Sequence, residues 1–173
     1  MFRGALELCS IILFACGCTQ TLDFDAVSQR KALGEDIEDG ELVSQELWVA
    51  SASHTLGMSD PSFAIDGKVT TNWISGETQA PGMWLAVDLG ETVAVRTLLL
   101  DARSDRQDAC ERLDIYASDD NEQWSRVRAG VPGDPELRID FAEPVSARGL
   151  KLSLPADVTK DRWWRVDELR ILK

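Results

Sequence analysis

Histidine and tyrosine each occur once among the 173 residues, as His54 and Tyr116. With His54 alone, no nucleophile–histidine–acid set stands out. No spacing among the many carboxylates singles out a pair for glycoside hydrolysis either. The expectation is a chain without catalytic activity. Cysteine is scarce where it would matter: there are four, and outside the N-terminal Cys9, Cys16 and Cys18 only Cys110 is left. That excludes a disulfide framework. Basic residues are outnumbered, with 18 Lys and Arg against 30 Asp and Glu and a net charge of -12. So acidic a chain is a poor partner for nucleic acid or anionic lipid. It suits a face in water, or sites that hold cations. No apolar run is long enough to span a membrane as a helix, and no internal repeat is visible.

What is present begins with Arg3 and a short apolar run through Leu6, Leu8, Ile11, Ile12, Leu13 and Phe14, broken by Glu7, Cys9 and Ser10. Ala15, Cys16, Gly17 and Cys18 follow. Charge, apolar run and small residues in that order read as a secretory signal over residues 1–18. The cysteines at its end resemble a bacterial lipoprotein processing site, with Cys18 or Cys16 as the acylated residue. Neither is followed by Asp, which for this resemblance implies the outer membrane of a cell envelope. The alternative is a secreted protein cleaved nearby. If Cys16 carries the lipid, Cys18 is free to pair with Cys110; if Cys18 does, Cys110 is a lone buried thiol. Residues 19–46 are rich in Asp and Glu, poor in apolar residues and without period. They are expected to form an extended acidic tether.

From Leu47 the pattern changes. Short runs at 47–52, 83–89, 93–101, 112–118, 124–128, 137–141, 149–154 and 164–172 are separated by turn chemistry such as Pro81-Gly82 and Pro132-Gly133-Asp134-Pro135. Leu113, Ile115 and Ala117 alternate with polar residues, as do Leu137, Ile139 and Phe141, and Leu150, Leu152 and Leu154. Period two means one face buried and one wet. About eight such strands with no long helix predict an all-β antiparallel sandwich over residues 47–173. Two places stand apart. The stretch from Ala64 to Trp73 holds an Asp66-Gly67 turn between apolar anchors. It reads equally as a plain turn or as a loop that aims oxygens at a hard cation. In the last run Trp164 and Val166 share one phase and Leu169 and Ile171 the other, so the register switches at Asp167-Glu168. A bulge there would aim a carboxylate inward, where it needs a cation or donors. Glu168 is thus a natural partner for the Asp66 loop.

Several segments resemble one family in order. Phe63-Ala64-Ile65-Asp66-Gly67, Thr71-Asn72-Trp73 and Trp84 to Gly90 are similar to the opening of a discoidin domain. This is the coagulation factor V/VIII C-type domain, whose relatives include the family 32 carbohydrate-binding modules. Tyr116 to Trp124 resembles the family's Ser-x-Asp-Gly-x-x-Trp hairpin. Ala147-Arg148-Gly149 resembles its Ala-Arg-aromatic strand, with Gly149 in the aromatic place. Val166 to Ile171 resembles its closing strand. The resemblance implies a jelly-roll β-sandwich and a structural calcium site. Asp66, Thr71 and Glu168 would give side-chain oxygens, and Phe63, Lys68, Thr71 and Asp167 carbonyls. It also implies core roles for Trp73, Trp84 and Trp124, and an Arg148 paired inside the fold with a carboxylate, Asp88 being the candidate.

The same resemblance implies a non-catalytic surface module that holds a carbohydrate or cell-surface glycan in loops at one end. The alternative is a domain that contacts envelope proteins, with the membrane reached only through the lipid anchor. In those loops the chemistry of sugar recognition singles out His54, Glu77, Arg103, Asp105 and Trp163, with Trp163 as the stacking platform because Trp164 faces inward.

Overall fold

The computed structural model describes residues 40–173, so the expected signal, its lipidation cysteines and residues 19–39 of the tether lie outside the described residues. Eight strands follow in order: β1 Val49–Ala52, β2 Trp73–Thr78, β3 Trp84–Asp101, β4 Arg112–Ser118, β5 Ser125–Pro132, β6 Glu136–Ser153, β7 Trp163–Val166 and β8 Glu168–Leu172. Two 3-10 segments, Pro61–Ala64 and Arg103–Asp108, sit between them. Every pairing is antiparallel. One sheet runs β1-β3-β6-β4-β5 with β8 also on β3, and β2 pairs with β7 in a second.

Two long strands organise the jelly roll. β3 and β6 are 18 residues each. Their mutual register shifts between Asp88 and Val93 and again between Val95 and Thr97. Each strand therefore serves two neighbourhoods. The first part of β3 takes β1 as its outer neighbour, at Leu85 to Asp88. Its last part, Thr97 to Asp101, takes β8 instead. The inner phases are those the alternation predicts. Leu85, Val87 and Leu89, then Leu113, Ile115 and Ala117, then Leu150, Leu152 and Leu154 are all buried in one core. Trp73 and Trp164 meet edge to face in it, with centroids 5.1 Å apart and planes at 80°, a favoured aromatic geometry.

The phase switch in the last run is a break between strands. β7 ends at Val166, β8 starts at Glu168, and the Asp167 N–H bonds Asp101 O at 2.7 Å. Three expectations need correction. The tether does not extend to residue 46: Leu42 bridges Leu172, Val43 N–H bonds Ile171 O at 3.0 Å, and Gln45 reaches Glu168. An edge strand leaves a row of unpaired backbone groups, and here the chain just before β1 covers them. Next, β2 was not among the expected runs. Its buried positions are Trp73 and Ser75, so half of its inward phase is polar and the apolar period is absent.

The third correction concerns two of the tryptophans. Trp84 and Trp124 are not core residues like Trp73; both are half-buried and line a recess on the sheet's outer face. Arg148 does meet Asp88, at 3.3 Å, but on the surface rather than inside the fold. Cys110 is free and buried, and burial pushes its thiol up to about 12.

Candidate functional site

Two groupings of polar side chains are built by this fold. The first lies where the loop after the 3-10 segment Pro61–Ala64 meets the start of β8. Asp60 caps that segment, its carboxylate accepting from Ser62 N–H at 2.8 Å. The chain then turns at Gly67, whose φ of 74° is left-handed. Asp66 Oδ1 accepts from Lys68 N–H at 2.9 Å. Thr71 Oγ1 lies 2.9 Å from each Asp66 carboxylate oxygen and 3.0 Å from Lys68 O. One hydroxyl proton cannot satisfy three acceptors. The loop thus gathers more oxygen than hydrogen. The Lys68 ammonium leans on its rim, 3.6 Å from Asp66 Oδ2.

Glu168 completes this junction. Its side chain is buried, Oε1 accepts from Gln45 Nε2 at 2.6 Å, and Oε2 has no hydrogen-bond partner. Burial pushes its carboxyl up to about 7; Gln45, the Arg170 charge and the Gly67 N–H pull it down, and the nearby Asp66 charge adds to the push. A buried carboxylate oxygen without a donor, beside a second carboxylate, is the arrangement a cation relieves. Among the described residues no three His, Cys, Asp or Glu side chains gather as a metal group. The donors present are carboxylates, a hydroxyl and carbonyls, which suit a hard cation such as calcium and not zinc. The Asp167 side chain turns away to Ser104, accepting from its N–H at 2.7 Å and from its hydroxyl. Burial is the main cause that raises the Asp167 carboxyl. Gln45 escaped notice because it sits in an acidic, aperiodic stretch.

The second grouping is a recess of about 330 Å³ where β2, β7 and the 3-10 segment Arg103–Asp108 come together. Thr78 pairs with Trp163 across β2 and β7. Strand alternation sends Trp164 into the core and Trp163 outward, where 41% of it is exposed. Arg162 bonds the buried Asp108 at 2.9 Å and reaches Asp105 at 3.5 Å; Arg165 approaches Asp108 at 3.9 Å. Gln79 fixes this corner from beneath. Its amide donates to Ala109 O and Trp163 O, both at 3.0 Å, and accepts from Glu111 N–H at 2.8 Å. Three backbone groups from two segments are satisfied by one buried side chain.

The five residues expected for a ligand therefore separate. Asp105 and Trp163 line the recess together. His54 and Glu77 pair with each other at 3.6 Å, and neither lines it. Arg103 is tied to Asp101 through Nε, at 3.0 Å, with Glu136 at 3.8 Å from its guanidinium. Arg162 and Arg165 are additions. The alternation that places Trp163 outward also places Arg165 there, so that signal was in the sequence.

An antiparallel jelly roll with a side-chain junction between its first loop and last strand, and a polar recess beside an outward Trp, is the frame of a small β-sandwich module. The model of the F5/8 type C domain matches residues 49–169, and the chain belongs to that family. Among solved structures it is similar to the family 32 carbohydrate-binding module of Clostridium perfringens NanJ in complex with galactose. That pair has a TM-score of 0.67 and 22% identity over 78% of this chain and 100% of the other. It is also similar to a C. perfringens module, CpGH89CBM32-5, in complex with GalNAc-β-1,3-galactose, with TM-score 0.64 and 18% identity over 77% and 100%. A chitosan-binding module from a Paenibacillus chitosanase/glucanase gives TM-score 0.64 and 22% identity over 78% and 100%. No curated protein matches the chain.

Proposed function

We propose that the domain is a non-catalytic module that binds a carbohydrate in the Trp163 recess. The observation that carries this reading is the exposed Trp163 ring set among Arg162, Arg165 and Asp105 beside the β2–β7 pair. A ring stacks on the apolar face of a pyranose, while fork donors and carboxylates take its hydroxyls. Likeness to modules solved with galactose and GalNAc-β-1,3-galactose supports the reading and makes galactose-type sugars the first to try. A glycan array with the wild type and Trp163→Ala tests it. Binding lost in the variant supports the reading. An empty array together with a captured envelope protein would replace it with a protein-contact role. On the sequence of residues 1–18, the module works at a bacterial cell surface, held by a lipid on Cys18 or Cys16 or else secreted.

Calcium is the second part of the reading. Asp66, Thr71 and Glu168 would hold it, with carbonyls of Phe63, Lys68 and Asp167. Bound there, the ion supplies positive charge to the unanswered Glu168 oxygen. The chain's own residues do the rest: Gln45 orients Glu168, and the Gly67 turn aims Asp66 at it. The consequence is a tie between the first loop and the last strand. Melting that is indifferent to chelator would remove this part and leave the sugar reading standing.

A further inference from the structure

The outer face of the large sheet carries a hollow that neither reading uses. Its floor is a patch of small side chains set by register. Ser51 pairs with Ala86, Ala86 with Lys151, and Asp88 with Gly149. Trp84 stands at one side, beside Ser153, and Val49, 66% exposed, borders it on the edge strand. The opposite wall is the turn before β5. Asn121, with a left-handed φ of 61°, and Trp124 fold down over Gly149. A Cβ on residue 149 would stand 1.9 Å from Asn121 Oδ1 and 2.9 Å from the Trp124 ring. Glycine at this position therefore sets how low that wall lies. The hollow is about 470 Å³, within the range of small-ligand sites.

Its centre is Lys151. The ammonium lies 4.5 Å from the Trp124 ring centroid and 5.3 Å from that of Tyr116. Among the described residues its charge faces these two rings, and no carboxylate pairs with it. Loss of water lowers its pKa. Asp88 also lines the hollow, but its carboxylate is already held by Arg148 at 3.3 Å, by Gly90 N–H at 2.8 Å and by the Asn121 side chain. A partly dehydrated cation without a paired carboxylate is unusual in a chain of net charge -12. Aromatic rings give it only part of what water gave, and an incoming carboxylate would complete it with a charge-assisted hydrogen bond.

We propose that this hollow is a second saccharide site, separate from the Trp163 recess, and that it takes a carboxylated pyranose. Lys151 receives the carboxylate, Trp84 and Val49 meet the C–H face of the ring, and Ser51 offers a partner for hydroxyls, with what the Asn121 amide has left beyond its bond to Asp88. The surrounding negative charge disfavours polyanions, so the fitting ligand carries one isolated carboxylate, as a terminal uronic or sialic acid does.

The test titrates the full chain with methyl β-glucuronide, methyl α-sialoside and neutral methyl β-glucoside, read by tryptophan fluorescence and indole N–H resonances. One acidic glycoside should bind about tenfold more tightly than the glucoside, the value of one charged hydrogen bond, and which one names the source. Lys151→Met should erase that preference with folding intact, Lys151→Arg should keep it, and Trp163→Ala should leave it unchanged. Equal binding of acidic and neutral glycosides would overturn the proposal. So would a preference that survives Lys151→Met. Loss of the preference in Trp163→Ala would assign the acid sugar to the end recess instead.

Discussion

The junction at Glu168 and the recess at Trp163 are built from the same materials and reach opposite outcomes. Both set a buried carboxylate beside a loop. At the recess the buried carboxylate is answered, Asp108 by Arg162; outside it Asp101 is held by Arg103 and Asp167 by Ser104. At the junction Glu168 has one oxygen on Gln45 and the other without a well-formed hydrogen bond; Gly67 N–H and the Arg170 charge favour the carboxylate less than burial and Asp66 oppose it. An answered carboxylate stiffens a surface and leaves its rim free to recognise something. An unanswered one is a demand for positive charge. On the proposed reading, the difference separates a surface that reads a ligand from a joint that closes on an ion.

The comparison is broken most severely by removing the clip under the recess. Gln79→Ala would orphan three backbone groups, at about 1 kcal/mol or more each. Thermal unfolding should show a loss of about 3 kcal/mol, and binding at Trp163 should weaken with it. Glu168→Gln attacks the other side. At pH 8 with chelator the variant should be about 2 kcal/mol more stable than the wild type, because a neutral amide replaces a charge buried without a partner. Its melting should also stop responding to calcium. Wild-type behaviour in that variant would dissolve the contrast.

Smaller effects sharpen it. Arg162→Ala leaves Asp108 buried with less to face. A loss of about 1–2 kcal/mol is expected, measured by denaturant titration, since Arg162 itself is half-exposed. Trp163→Ala should change stability by less than about 0.5 kcal/mol, as exposed side chains do, while abolishing the sugar signal on an array. A large stability loss in that variant would mean that the ring packs rather than presents.

Much of the frame was legible in the sequence, for reasons that can be named. The alternating triplets in β4 and β6 gave their inner faces directly. The phase switch at Asp167-Glu168, expected as a bulge within one last strand, marks the place where β7 ends and β8 begins, and it aimed Glu168 inward. Other features were hidden by chemistry. β2 buries Ser75 where an apolar residue would have shown its period, and Ser75 is satisfied there by bonding Glu77 O and Trp164 N–H. Gln45 contributes through one amide in a stretch whose composition says tether. Arg103 has its partner Asp101 only two residues away, but in a strand-to-loop turn that spacing does not by itself show that the two side chains meet. Trp84 is a different case. Its phase matches Asp88, not Leu85, Val87 and Leu89, so the strand itself placed it outside. The resemblance to a family core position outweighed that alternation.

The pH dependence of the junction follows from its burial. Glu168 ordinarily titrates at 4.5 and is pushed up to about 7 in the fold. An acid raised on folding contributes stability that is complete below its unfolded value and is lost as pH climbs through its folded value. Between pH 4.5 and 7 the metal-free domain should therefore lose up to about 3 kcal/mol. Asp167, also raised by burial, acts in the same direction.

Thermal unfolding of the wild type at pH 5 and pH 8, each with chelator and with calcium, tests the central claim most directly. With chelator the melting temperature should fall by roughly 10 °C between the two pH values, and calcium should restore most of the loss at pH 8 while doing little at pH 5. Identical melting with chelator and with calcium at pH 8 would contradict the account.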